Sequence, residues 1–162
     1  MVDDDIILNA FIQHCIGHHS FGVWKHDLDR ADESNTIEYW AELGRTLERG
    51  KFDSIFFADI FGTYSTYQGS RNTSIEKAVQ IPTRDPTVLL SAIAQETDHL
   101  GLATTISATQ TDPFRMARVM STLDHLTDGR LAWNIVTSYL RDAGRNFGQD
   151  DMDHEERYDR GE

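Results

Sequence analysis

His14, Cys15, His18 and His19 follow one another closely near the start of the chain, directly after an apolar run. Imidazole and thiolate are both zinc ligands, and the short spacing suits a metal. No second pair of the C-x-x-C or H-x-x-x-H kind stands at a suitable separation, however. The nearest following carboxylate, Asp27, lies beyond the aromatic stretch from Phe21 to Trp24. No metal site is therefore expected. Cys15 beside a histidine offers a thiolate nucleophile instead, against the commoner case of a buried, inert cysteine. Other polar residues stand at the ends of apolar runs: Asp59 after Phe52 to Ala58, Ser107 closing Leu100 to Ser107, and Asn134, Thr137 and Ser138 around the end of Arg130 to Val136. Any one of these is ordinarily a strand end meeting solvent. Together they fit the place where parallel β/α folds assemble active sites, the C-terminal ends of the strands.

The elements that must position them read as alternating strands and helices. Ile6 to Ile12 is apolar and β-branched, as expected of a strand buried on both faces. From Ile37 to Gly50 apolar residues recur mostly at three- and four-residue intervals, the pattern of an amphipathic helix stopped by Gly50. Phe52 to Ala58 is a second strand. Asp59 to Arg84 is a long polar insertion, of the kind that in compact domains is usually functional or disordered. Asp85-Pro86 and Asp112-Pro113 each set an N-cap before a proline at the first helical position. The first begins a helix to about His99, the second one that runs through Leu126 and ends at Asp128-Gly129. Leu100 to Ser107 and Arg130 to Val136 are the third and fourth strands, and the charged stretch from His154 to Glu162 reads as helical. Short αβ turns require parallel pairing and crossover helices, so the class is α/β. An open doubly wound sheet and a closed barrel compete. Gln13 to His19 holds no glycine fingerprint for a dinucleotide, which favours the barrel. A barrel takes eight strands, so four units amount to half of one.

Composition bounds the partners. With 162 residues, 39% of them hydrophobic, the chain is expected to form one domain spanning residues 1–162. Its 15 Lys and Arg against 27 Asp and Glu give 15 − 27 = −12, without a basic stripe, so no nucleic acid partner is expected. The lone Cys15 cannot form an internal disulfide, which points to a reducing, cytoplasmic setting. No apolar run approaches the roughly 20 residues that span a bilayer, so no membrane is expected either.

Longer segments carry a family resemblance. Leu8 to Phe11, Gly22 to His26, Leu47 to Asp59, Ser121 to Arg130, Trp133 to Ser138, Asn146 to Gly148 and His154 to Asp159 resemble, in order, the bacterial-luciferase-like flavin-dependent monooxygenases. The similarity is to the group that holds nitrilotriacetate, dibenzothiophene-sulfone and long-chain alkane monooxygenases. It implies the N-terminal half of a (β/α)8 TIM barrel, about four β/α units with parallel strands. It also implies an enzyme that uses reduced FMN, supplied by a separate flavin reductase, to insert one oxygen atom from O₂ into a small organic substrate. By the same resemblance Asp59, Thr105, Asn134, Thr137, His154 and Tyr158 match positions around the flavin. Cys15, His18, Tyr64 and Gln80 match residues lining the substrate side near the reactive flavin atom, and Tyr139 stands where the alkane-oxidising relative has a histidine. After the third strand, Gln110-Thr111-Asp112-Pro113-Phe114 replaces a turn that usually carries a histidine. Half a barrel leaves sheet edges and an inner face around Ile7, Phe11, Phe56 and Val136 open. The alternative reading is therefore an inactive barrel piece acting as a binding or oligomerisation module, paired with a second copy or with a C-terminal half.

Overall fold

Four parallel strands, β1 (Asn9–Gln13), β2 (Ser54–Ala58), β3 (Gly101–Ser107) and β4 (Leu131–Val136), pair in the order β1-β2-β3-β4. The computed structural model describes residues 6–17, 22–78, 80–149 and 152–162. Among these residues six α-helices accompany the strands: α1 (Ile37–Arg49), α2 (Asn72–Lys77), α3 (Thr87–Gln95), α4 (Pro113–Leu126), α5 (Arg141–Asn146) and α6 (His154–Gly161). A doubly wound sheet reverses its strand order at a switch point, whereas here every strand lies beside its predecessor. Helix α1 packs on α3 and α3 on α4, and each also touches the strand that follows it. All three therefore cover the same face of the sheet. This is the N-terminal half of a (β/α)8 barrel, four β/α units of the expected class.

Alternation along the strands sorts the residues into two faces. Ile55, Phe57 and Leu102 point to the helices and are fully buried against Trp40, Leu90 and Ile93. Burying each such side chain stabilises by about 1.5–3 kcal/mol. Helix α1 contributes Trp40, Ala41, Gly44 and Leu47, one stripe at helical spacing. Gly44 is required by the close approach of α3, because a Cβ there would meet Ile93 Cγ2 at 2.8 Å. The opposite face carries the registered rows Phe11, Phe56, Ala103, Ala132 and, toward the strand ends, Thr105 beside Asn134.

Charged residues stitch the N-terminal ends of the strands. Glu48 accepts from the backbone N–H groups of Asp98, His99 and Leu100, and Asp53 Oδ2 accepts from Leu8 N at 2.7 Å. The Arg130 guanidinium donates to the carbonyls of Ala94, Leu100 and Thr127 and to the Thr97 hydroxyl. It thereby ties the end of α3 to the starts of β3 and β4.

Asp112 is the N-cap of α4 as expected, whereas α3 begins at Thr87 with Pro86 in the cap position and Asp85 one residue ahead of it. Asp112 Oδ1 accepts from Arg115 N at 3.0 Å, and Asp85 Oδ1 accepts from Thr87 N at 2.8 Å. Two further expectations need correction. The first strand is Asn9–Gln13, and Ile6 and Ile7 lie outside it, 83% and 73% exposed, because β1 is an edge strand whose inner face is uncovered. Helix α3 ends at Gln95, where Thr97 Oγ1 donates to the Ile93 carbonyl and the chain turns toward β3. Within the Asp59 to Arg84 insertion a 3-10 turn forms at Tyr67–Gly69, followed by helix α2.

Candidate functional site at the strand ends

Asp59 follows β2 directly and lines two adjoining cavities, of about 310 and 400 Å³, which also share Ile60, Val136 and Tyr139. These volumes suit a small organic ligand. Burial pushes the Asp59 carboxyl up to about 7, against the opposing hydrogen bond from Ile60 N to Oδ1 at 2.8 Å and with the help of the nearby Asp85 carboxylate. At neutral pH this acid is therefore poised to hold or release a proton.

The first cavity has a floor and a roof. Strand residues Phe11, Phe56 and Val136 make an apolar floor, into which Thr105 and Asn134 bring polar atoms. Asn134 Nδ2 donates to Thr105 Oγ1 at 3.0 Å, which leaves the Thr105 O–H and the Asn134 carbonyl free for a ligand. The insertion supplies the roof, with Thr63, Tyr64, Ser74 and Gln80. Its hold on the strand ends is specific. Tyr64 and Tyr139 share a hydrogen bond between hydroxyls at 2.7 Å, which together with burial pushes Tyr64 up to about 12. Gln80 N donates to Ile16 O at 2.8 Å, Phe61 packs on Phe147, and Arg71 pairs with Asp142 of α5 at 3.0 Å. Of the residues expected in a site, Asp59, Tyr64, Gln80, Thr105, Asn134 and Tyr139 thus come together around this cavity.

Thr137, His154 and Tyr158 line the second cavity with Asp59 and Tyr139. The Asp153 side chain caps α6 by accepting from Glu156 N at 2.9 Å, and the His154 and Tyr158 rings lie 4.7 Å apart on it. Arg157, from the same helix, faces this cavity too and was not picked out from the sequence. One of its terminal nitrogens donates to Met152 O at 3.2 Å, while its Nε is buried without a hydrogen-bond partner among the described residues. A guanidinium in the wall of a cavity fits an anionic group. The run from Asp153 to Arg160 is so rich in charge that nothing in it marks Arg157 out from its neighbours.

Cys15 is buried and absent from the walls of these cavities, and its Sγ donates to Gln13 Oε1 at 3.5 Å. Burial pushes the thiol up to about 11, the Arg84 charge notwithstanding, which favours the neutral thiol. His14 is a core residue. Its Nε2 donates to the Ser34 carbonyl at 2.9 Å, its ring meets Trp40 edge-on at 5.0 Å, and burial holds its pKa below the usual histidine value. His18 lies outside the described residues. Among the described residues no group of three or more His, Cys, Asp or Glu side chains is placed to hold a metal ion, and no helix is long and apolar enough to cross a membrane.

Residues 18–162 match the family model of the luciferase-like monooxygenases. The long-chain alkane monooxygenase of Geobacillus thermodenitrificans (strain NG80-2) is 49% identical over 155 residues, which cover 95% of this chain and 35% of that protein. A solved structure of long-chain alkane monooxygenase superposes with a TM-score of 0.94 at 47% identity, over 99% of this chain and 37% of that one. The dimethyl-sulfide monooxygenase of Hyphomicrobium sulfonivorans is 45% identical, with 95% of this chain and 32% of that protein covered. Riboflavin lyase, solved with modified FMN and its substrate riboflavin, superposes with a TM-score of 0.88 at 28% identity, covering 97% of this chain and 35% of its own. The chain thus spans about a third of the length of the curated relatives it matches. Since the family model covers most of the sequence and the strand-end cavities stand where a β/α barrel places its chemistry, the chain belongs to the luciferase-like monooxygenases.

Proposed function

We propose that this chain forms the N-terminal part of the active site of an FMN-dependent, two-component monooxygenase that inserts one atom of O₂ into a small organic substrate. The observation that carries the reading is the pair of joined cavities around Asp59, whose walls combine an apolar floor, neutral hydrogen-bonding groups and the Arg157 side chain. That donor set fits a flavin, which has a flat apolar ring system edged with polar atoms, a hydroxylated chain and a phosphate. When bound in reduced form, FMN supplies the electrons that activate O₂.

The residues of this chain have separable tasks. Phe11, Phe56 and Val136 offer the ring a dry surface and keep water from the reacting atoms. Thr105 and Asn134 hydrogen-bond the polar edge or the hydroxylated chain, and Thr137, His154, Tyr158 and Arg157 hold the phosphate end. Asp59 holds a proton at Oδ2, since Oδ1 is engaged by Ile60 N, and exchanges it near neutral pH. Tyr64, Gln80 and Tyr139 orient the substrate under the roof. Cys15 shapes the strand end from beneath, and His18 is assigned to the substrate side by family position. We assign the reduced flavin to a separate reductase, the protein to the cytoplasm, and residues 1–162 to a single domain.

Titration of the protein with FMN, followed by quenching of flavin fluorescence, tests this. Saturable micromolar binding, weakened about tenfold in Asp59→Ala, is expected, with oxygenase assays alongside a flavin reductase to follow. Absence of binding at any accessible concentration would rule the reading out.

A further inference from the structure

The first cavity has a feature that bears on substrate choice: among the described residues, Asp59 is its only wall residue with a carboxylate or a basic side chain. The roof segment from Ile60 to Arg84 contains four charged residues, Arg71, Glu76, Lys77 and Arg84. None of them faces the cavity. Arg71 is committed to Asp142 at 3.0 Å, Lys77 pairs with Glu76 at 2.9 Å in solvent, and Arg84 sits beside His14 and Cys15. What the roof does present is neutral: Thr63, Ser74, Gln80, Ile81 and the Tyr64 and Tyr139 hydroxyl pair. Within that pair one O–H is spent on the other ring's oxygen, which leaves a single phenolic proton to donate.

Among the described residues an anionic substrate entering this space meets no cationic side chain, and it meets the Asp59 carboxyl. Burying a carboxylate without a partner is far costlier than burying a hydroxyl that finds one of these neutral groups. We infer that the site takes a neutral, largely apolar organic molecule with at most a weakly polar end, and that it rejects carboxylates and polycarboxylates. This rests on the flavin reading for the site's purpose, while the selectivity itself follows from the cavity wall.

The test compares octan-1-ol, octanoate and octanedioate, which share a chain length and differ in charge, by titration calorimetry on the protein with and without saturating FMN. Octan-1-ol is expected to bind at least about tenfold more tightly than octanoate, with octanedioate weaker still. Thr63→Lys and Ser74→Lys, each placing a cation in the roof, are expected to narrow the gap between octan-1-ol and octanoate. Octanoate within about twofold of octan-1-ol in the wild type, failure of octan-1-ol to bind, or a gap unchanged in both lysine variants would overturn the inference. The FMN titration reports separately on the flavin reading: loss of FMN binding with the order of the three ligands intact sinks that reading and leaves the selectivity standing.

Discussion

The two faces of the sheet are built from the same four strands to opposite ends. Toward the helices, Ile55, Phe57 and Leu102 are wholly buried and packed on Trp40, Leu90 and Ile93. Toward the cavities, Phe11 is 56% exposed, Phe56 is half-buried, and the polar pair Thr105 and Asn134 takes the place of aliphatic side chains. One face is where folding free energy is gathered and the other is where polar groups and an acid of raised pKa are tolerated. A side chain's position in the strand alternation, more than its type, decides which of these it serves: Phe56 and Phe57 are neighbours in sequence.

The comparison is broken most severely on the helix side. Phe57→Ala removes a fully buried ring and is expected to cost about 3–5 kcal/mol, read from the urea midpoint. A loss below about 1 kcal/mol would mean that the core is not where the burial places it. Asp59→Asn should act in the opposite direction. In the folded state the Asp59 carboxyl is raised from 3.8 to about 7, so the wild type loses stability as pH rises through that window and carries the full penalty above it. The variant escapes this penalty, by an amount on the order of 3 kcal/mol at pH 8 and far less at pH 4. Equal urea midpoints for the two proteins at pH 8 would contradict a buried acid.

Smaller effects sharpen the contrast. Glu48→Gln weakens a carboxylate that serves three backbone N–H groups and should cost about 1–2 kcal/mol above pH 5. Those hydrogen bonds hold the Glu48 pKa below the usual carboxylate value, so its contribution is present at neutral pH and fades as pH falls through that lowered value. Merging of the variant's and wild type's thermal midpoints on acidification checks the sign. Phe11→Ala, on the open face, should change the urea midpoint by less than about 1 kcal/mol while weakening FMN binding, because its ring is more than half exposed and stacks on Phe56 at 5.3 Å.

Much of this division was legible beforehand, for reasons specific to certain residues. The Asp-Pro pairs at 85 and 112 are local signals, complete within one helical turn; Asp112 caps α4 as read, while at α3 the cap position falls one residue later, at Pro86, and Asp85 still accepts from Thr87 N. The strand-end positions of Asp59 and Asn134 follow from element order alone, whereas Thr105 came only with the family resemblance. Ile6 and Ile7 misled because an apolar run says nothing about whether a neighbour covers it, and at the sheet edge none does. Helix α5 escaped notice because it is short and contains Gly144, and its Asp142 earns its role only through a pairing with Arg71 far away in sequence. Arg157 was hidden among similar charges. What distinguishes it is an unpartnered nitrogen, which is a property of three-dimensional surroundings.

The stitching of Glu48, Asp53 and Arg130 lies wholly at the N-terminal ends of the strands, opposite the cavities. Charged side chains thus anchor each strand at its start, while at the opposite end the loops are held by neutral groups such as Thr109 and Ser138. In amide hydrogen exchange this should appear as a gradient along single strands, with the amides of Leu102 and Ala103 among the last to exchange and those of Val136 to Tyr139 opening earlier. Fluctuations that admit a ligand can then occur at one end of the sheet without loosening the other.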